Sequence, residues 1–102
     1  MAPDQQKRIK EMERRLDLIQ EVTGELSQAL DRYAKVQGEI EILGSYYGSK
    51  EWRQDYDDDA DGKLPDDLKR GVLSEDGIWN ALSEVQELNH CLADFIRKLD
   101  KQ

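Results

Sequence analysis

Cysteine occurs once in these 102 residues, at Cys91, histidine and phenylalanine once each, and proline twice. A single cysteine leaves no internal disulfide and no cysteine-based zinc cluster. Two prolines and seven glycines are too few for a loop-rich β-sandwich and favour long helices. The longest apolar run, Cys91-Leu92-Ala93, falls far short of the roughly 20 residues of a membrane-spanning helix. The start, Met1-Ala2-Pro3-Asp4-Gln5-Gln6, lacks the basic-then-apolar layout of a secretory signal, so the expected location is cytoplasmic. Glycine-rich phosphate loops, serine-centred elbows and histidine-rich metal motifs are missing too. A chain of this length is expected to fold as one helical domain over 1–102 with a thin core.

Acidic charge is what the chain has in excess: 23 Asp+Glu against 15 Lys+Arg, a net −8. Five of those eight charges lie in residues 48–76, where Asp55, Asp57, Asp58, Asp59, Asp61, Asp66 and Asp67 crowd into thirteen positions. An acidic surface repels phosphates, so DNA, RNA and anionic lipid are disfavoured as partners. The locally basic stretch Lys7–Arg15 has no aromatics interleaved for base stacking, which argues against a nucleic-acid arm.

From Asp4 to about Tyr47 apolar residues recur at steps of three and four. As heptads, position a holds Ile9, Leu16, Thr23, Leu30, Gln37 and Gly44, and position d holds Met12, Ile19, Leu26, Tyr33, Ile40 and Tyr47. From residue 22 a third column joins on the g side, Val22, Ala29, Val36 and Leu43. The spacing predicts one helix over about 4–47, some 66 Å long, started by Pro3 and Asp4 and stopped by Gly48. Gly24 and Gly38 each cost roughly 1 kcal/mol relative to Ala, which makes Thr23-Gly24 the expected site of any bend. The unchanged heptad phase on both sides favours continuity.

A second helix is expected over about 75–100, with Ile78, Leu82, Val85, Leu92, Ile96 and Leu99 in one seam and Ala81, Leu88 and Phe95 beside it. Ser74 is its expected N-cap, with Glu75 and Asp76 in the first turn, where the helix dipole favours negative charge. Asn89 falls in the seam, either as a partly wet position or as a register-setting contact with Gln37 or Thr23. The fold class is therefore all-α: a long antiparallel helical hairpin with short helical turns in the connecting segment. The shorter second helix matches residues 22–47 of the first, where the apolar face broadens. That leaves residues 1–20 as an overhanging seam, with Ile9, Met12, Leu16 and Ile19 in need of another chain.

The connecting cap, 48–74, carries the candidate chemistry. Ser49 can cap a short helix with Trp52 and Tyr56 at i and i+4, and Pro65 can open a helical turn ending at Gly71. Five of the seven aromatics are Tyr46, Tyr47, Trp52, Tyr56 and Trp79. They either plug the end of the hairpin or line a recess with Lys69 and Arg70 at its rim, suited to an anionic or peptide ligand.

Asp57-Asp58-Asp59-Ala60-Asp61-Gly62-Lys63-Leu64 has the opening of an EF-hand-type calcium loop. Asp57, Asp59 and Asp61 stand at positions 1, 3 and 5, and Gly62 at 6. Position 12 is Leu68 where a bidentate Glu should close the cage, and Pro65 stands at position 9, so a solvated loop is the stronger expectation. No other cofactor is implied. His90 and Cys91 are adjacent on a helix and diverge by about 100°, so they form no local nucleophile–base pair. No catalytic residue is assigned; Asp55, Lys69, Arg70 and Asp76 are the polar groups an enzyme reading would fall back on.

Tyr46-Tyr47-Gly48-Ser49-Lys50-Glu51-Trp52, followed by Gly62-Lys63-Leu64-Pro65-Asp66-Asp67-Leu68-Lys69-Arg70-Gly71-Val72-Leu73-Ser74-Glu75-Asp76, resembles a small bacterial family catalogued as a domain of unknown function. The resemblance spans nearly the whole chain, with its specific residues in this central block. It implies a compact helical bacterial protein with no assigned activity or cofactor, and an acidic stretch before Gly62 of variable Asp/Glu spacing, which weakens the calcium reading. It places the candidate surface at Trp52, Tyr56, Lys69, Arg70, Asp76 and Trp79.

The expected function is a non-enzymatic protein–protein interaction module, most simply a C₂ homodimer through the Ile9–Ile19 seam. The alternatives are a calcium- or small-ligand-binding module on residues 46–79, and an acidic decoy occupying a basic protein's nucleic-acid site.

Overall fold

A computed structural model describes residues 2–101. The described residues are all-α, with no strand: α1 Pro3–Lys35, α2 Gln37–Tyr46, α3 Lys50–Ala60, a 3-10 turn Gly71–Leu73, and α4 Gly77–Asp100. This order, a long helical run, a connection with short helical turns and a second long helix, is the order expected of a helical hairpin. None of these helices is long and apolar enough to cross a membrane. The chain divides into two compact units, Met1–Gln37 and Gly38–Gln102.

The first unit is essentially α1. Pro3 opens it, Asp4 lies in its first turn, and Arg32 and Lys35 lie in its last, all in the sense the helix dipole favours. The helix runs unbroken through Gly24, where an added Cβ would meet nothing within 4 Å. The expected single helix over 4–47 is instead interrupted at Val36. Val36 sits at φ −82°, ψ −2°, with its N–H still held by the Arg32 carbonyl at 3.1 Å. Gln37 Nε2 donates to the Tyr33 carbonyl at 2.9 Å, the acceptor that a regular helix offers to the Gln37 N–H. A side chain inserted into the i→i−4 ladder next to Gly38 is a sufficient cause for the interruption.

The second unit begins with α2, which ends where expected: Gly48 adopts φ +80°, the left-handed stop that only glycine takes without strain. Ser49 then caps α3, its Oγ accepting the Trp52 N–H at 3.1 Å. At the far end Gly62 (φ +73°) completes a Schellman closure, with Lys63 N on the Asp58 carbonyl (2.9 Å) and Gly62 N on the Asp59 carbonyl (3.1 Å). Pro65 opens a tight turn, closed by Leu68 N on the Pro65 carbonyl at 3.2 Å, rather than the helical turn expected there. The short helical element comes later, at Gly71–Leu73, because Arg70 and Ser74 hold the chain on either side: Leu73 N donates to Arg70 O at 3.0 Å and Ser74 Oγ to Gly71 O at 2.8 Å.

Helix α4 starts two residues after the expected 75, at Gly77, yet Ser74 still performs the capping bond, accepting the Gly77 N–H on Oγ at 3.0 Å. Gly77 has no room for a side chain. A Cβ there would stand 2.3 Å from the Gly71 carbonyl oxygen and 2.6 Å from Ser74 Oγ. The 3-10 turn touches both α3 and α4 and is the packing centre of this unit. Its Leu73 and the first-turn Ile78 of α4 are the buried apolar residues among those described. Leu43, Tyr46, Tyr47, Trp52, Tyr56, Leu82 and Val85 of the same unit are half-buried. The core is as thin as the chain length implied.

Candidate functional site

Trp52 is the centre of the aromatic group. Its ring lies 5.4 Å from Tyr47, edge to face at 74°, and 5.3 Å from Tyr56 at 30°. Its Nε1–H donates to the Val72 carbonyl at 2.9 Å, tying α3 to the 3-10 turn. Tyr46, on α2, donates its hydroxyl to Asp55 Oδ2 at 2.6 Å. That bond, then burial and the Asp55 charge, push the Tyr46 phenol up to about 12. These aromatics and their partners hold α2, α3 and the turn together.

Arg70 is spent in the same way. Its guanidinium donates to the Asp59 carboxylate and the Pro65 carbonyl, and its Nε–H to the Leu68 carbonyl at 3.2 Å. The last turn of α3 carries no basic residue but three consecutive aspartates, an unfavourable match to the negative end of the helix dipole. Arg70 on Asp59 and Lys63 near Asp58 (3.8 Å) and Asp61 (4.0 Å) offset that repulsion.

Asp57, Asp58 and Asp59 are therefore helical, not a loop, and successive helical side chains diverge by about 100°. Alternate aspartates here do not encircle a point as they would in an EF-hand loop. Asp58 accepts from Gln54 Nε2 at 2.9 Å. Among the described residues no group of three or more His, Cys, Asp or Glu side chains converges to hold a metal ion.

Lys69 lies beside an open groove of about 490 Å³ lined by Leu43, Gly71, Val72, Gly77, Ile78 and Ala81. Val72 is both groove wall and, through its carbonyl, the acceptor for Trp52. The structure thus groups Trp52, Tyr56 and Arg70 as a brace and puts Lys69 at the groove. Trp79 is exposed on the first turn of α4, outside the groove lining. Asp76 precedes α4 and makes no side-chain cap bond, although its carbonyl accepts from Asn80 N at 2.8 Å. Sequence reasoning missed the Tyr46–Asp55 bond and the close approach at Gly77. The second had a signal, a glycine in the first turn of an otherwise well-patterned helix.

The first unit offers a different kind of surface. Ile9 is 43% exposed, Met12 56%, Leu16 48% and Ile19 63%, and Val22, Leu26 and Leu30 continue the stripe at a similar level. Beside it Glu11 takes Arg15 at 3.1 Å and Arg14 at 3.4 Å, solvent-exposed pairs of the kind that contribute little stability.

No curated protein and no solved structure matches the chain. A family model does match, over residues 9–97, which takes in the greater part of α1, the whole brace and nearly all of α4. With that coverage, the chain belongs to the family described as Domain of unknown function (DUF4298).

Proposed function

We propose that this protein is a non-enzymatic, self-associating helical module, in which two copies bury the Ile9, Met12, Leu16 and Ile19 seam of α1 against each other. The observation that carries this reading is the continuous exposure of that stripe along an unbroken helix. Single exposed apolar residues are ordinary on a protein surface, whereas a heptad-spaced row of them suits a partner helix. Each half-exposed side chain regains about 1 kcal/mol on full burial, so four from each copy give about 8 kcal/mol. Association costs about 4–15 kcal/mol, so the seam needs Val22, Leu26 and Leu30 as well, and the dimer is expected in the micromolar range.

Multi-angle light scattering over a concentration series tests it. The wild type is expected to rise to twice the chain mass, and Leu16→Glu with Ile19→Glu to remain at one. A wild type that stays at one chain mass at high micromolar concentration overturns the reading.

A second reading rests on the groove beside Lys69, whose apolar walls and ammonium suit a small apolar carboxylate. Octanoate titration of a Trp79→Phe variant reads it through Trp52, which is bonded to the groove residue Val72. Saturable fluorescence change that Lys69→Ala weakens supports this reading, and a flat titration removes it.

A further inference from the structure

We infer that the two copies pair parallel and in register along α1, with Arg8 of each copy against Glu13 of the other. The inference rests on the self-association reading and adds its direction and the charges that select it. In the heptad frame Arg8 and Arg15 occupy position g, and Glu13 and Gln20 position e, flanking the seam. In a parallel coiled coil a g residue reaches the e residue five positions further along the other helix. That geometry sets Arg8 on Glu13 twice, once on each side of the two-fold axis, and Arg15 on Gln20 twice. Glu11 already holds Arg14 and Arg15, whereas among the described residues Arg8 and Glu13 have no ion-pair partner within the chain.

The antiparallel alternative is worse on the same charges, because there g faces g and e faces e. Centred on the seam, with Ile9 opposite Ile19 and Met12 opposite Leu16, it sets Arg15 on Arg15 and Glu13 on Glu13. Sliding it by one heptad sets Arg8 on Arg15 in one direction, and in the other relieves the repulsion but leaves Arg8 and Glu13 without opposite charges. Thr23 adds a register preference. In register, the two Thr23 hydroxyls at position a face each other, while a one-heptad slip sets each against Leu16 or Leu30.

Disulfide trapping reads the direction. In a Cys91→Ser background, Ile9→Cys is expected to form an intermolecular disulfide readily, because parallel in-register pairing brings the two position-9 Cα atoms within the roughly 4.4–6.8 Å that a disulfide spans. Seam-centred antiparallel pairing would separate them by about 15 Å. The charge arm is independent of cysteine chemistry. Arg8→Glu and Glu13→Arg are each expected to weaken self-association about three- to tenfold, and an equimolar mixture of the two to pair at least as tightly as wild type. A wild-type dimer that shows neither the trapped disulfide nor recovery on mixing overturns the parallel arrangement and leaves self-association standing. A wild type monomeric at high micromolar concentration removes both.

Discussion

Helices α1 and α4 carry much the same apolar spacing, and the structure treats α1 and the start of α4 differently, while Leu88, Phe95, Ile96 and Leu99 further along α4 are as exposed as the α1 stripe. On α4 the seam begins with Ile78, 2% exposed, and continues half-buried through Leu82 and Val85, beside a 3-10 turn that contributes Leu73. On α1, Ile9, Met12, Leu16 and Ile19 are all exposed. Periodicity states that a face seeks burial; what supplies the burial depends on elements elsewhere. For the start of α4 the supplier lies a few residues upstream, at Gly71–Leu73, and is fixed by Gly77, whose missing side chain lets the α4 backbone approach the Gly71 carbonyl. For α1 we propose that the supplier is a second copy.

Truncating each seam should break the comparison most sharply. Ile78→Ala opens a cavity in the thin core and is expected to cost about 2–4 kcal/mol, measured by urea denaturation. Leu16→Ala at low micromolar concentration is expected to change the same curve by under about 0.5 kcal/mol, since it uncovers nothing already packed. A cost at Leu16 equal to that at Ile78 would mean that α1 is already packed within one chain. Gly77→Ala forces a methyl against the Gly71 carbonyl and is expected to cost about 1–3 kcal/mol, because a backbone atom cannot swing aside as a side chain can.

A smaller effect sharpens the picture of the brace. With the Tyr46 phenol raised from 10.0 to about 12, the folded state holds this proton more tightly than the unfolded chain does. The corresponding stability is fully present below about pH 10 and lost as pH rises through about 12. Ultraviolet titration of the wild type should show a phenol ionising near pH 12 that Tyr46→Phe removes.

What was legible in the sequence was local. Ser49 as cap, Trp52 and Tyr56 on one face of α3, Gly48 as stop and the phase of the α4 seam at Ile78, Leu82 and Val85 follow from relations within four residues. The missed features are non-local or use main-chain acceptors, which leave no mark on residue identity. Trp52 finds the Val72 carbonyl twenty positions on, and Arg70 finds Asp59 eleven positions back. The aspartate run misleads for a related reason. Asp is a poor helix former, so the run suggests a loop, but Ser49 and Gly62 bracket a helix whose charge is offset by Lys63 and Arg70 from beyond its end. The interruption at Val36 rather than Gly24 has a similar origin, in a glutamine side chain taking a helical carbonyl.

Amide hydrogen exchange followed against protein concentration tests the contrast between the two seams most directly. Protection of the α1 amides from Ile9 to Leu30 should rise with concentration through the micromolar range, while amides around Leu73 and Ile78 keep a concentration-independent protection. Protection of α1 that does not change with concentration would contradict the account.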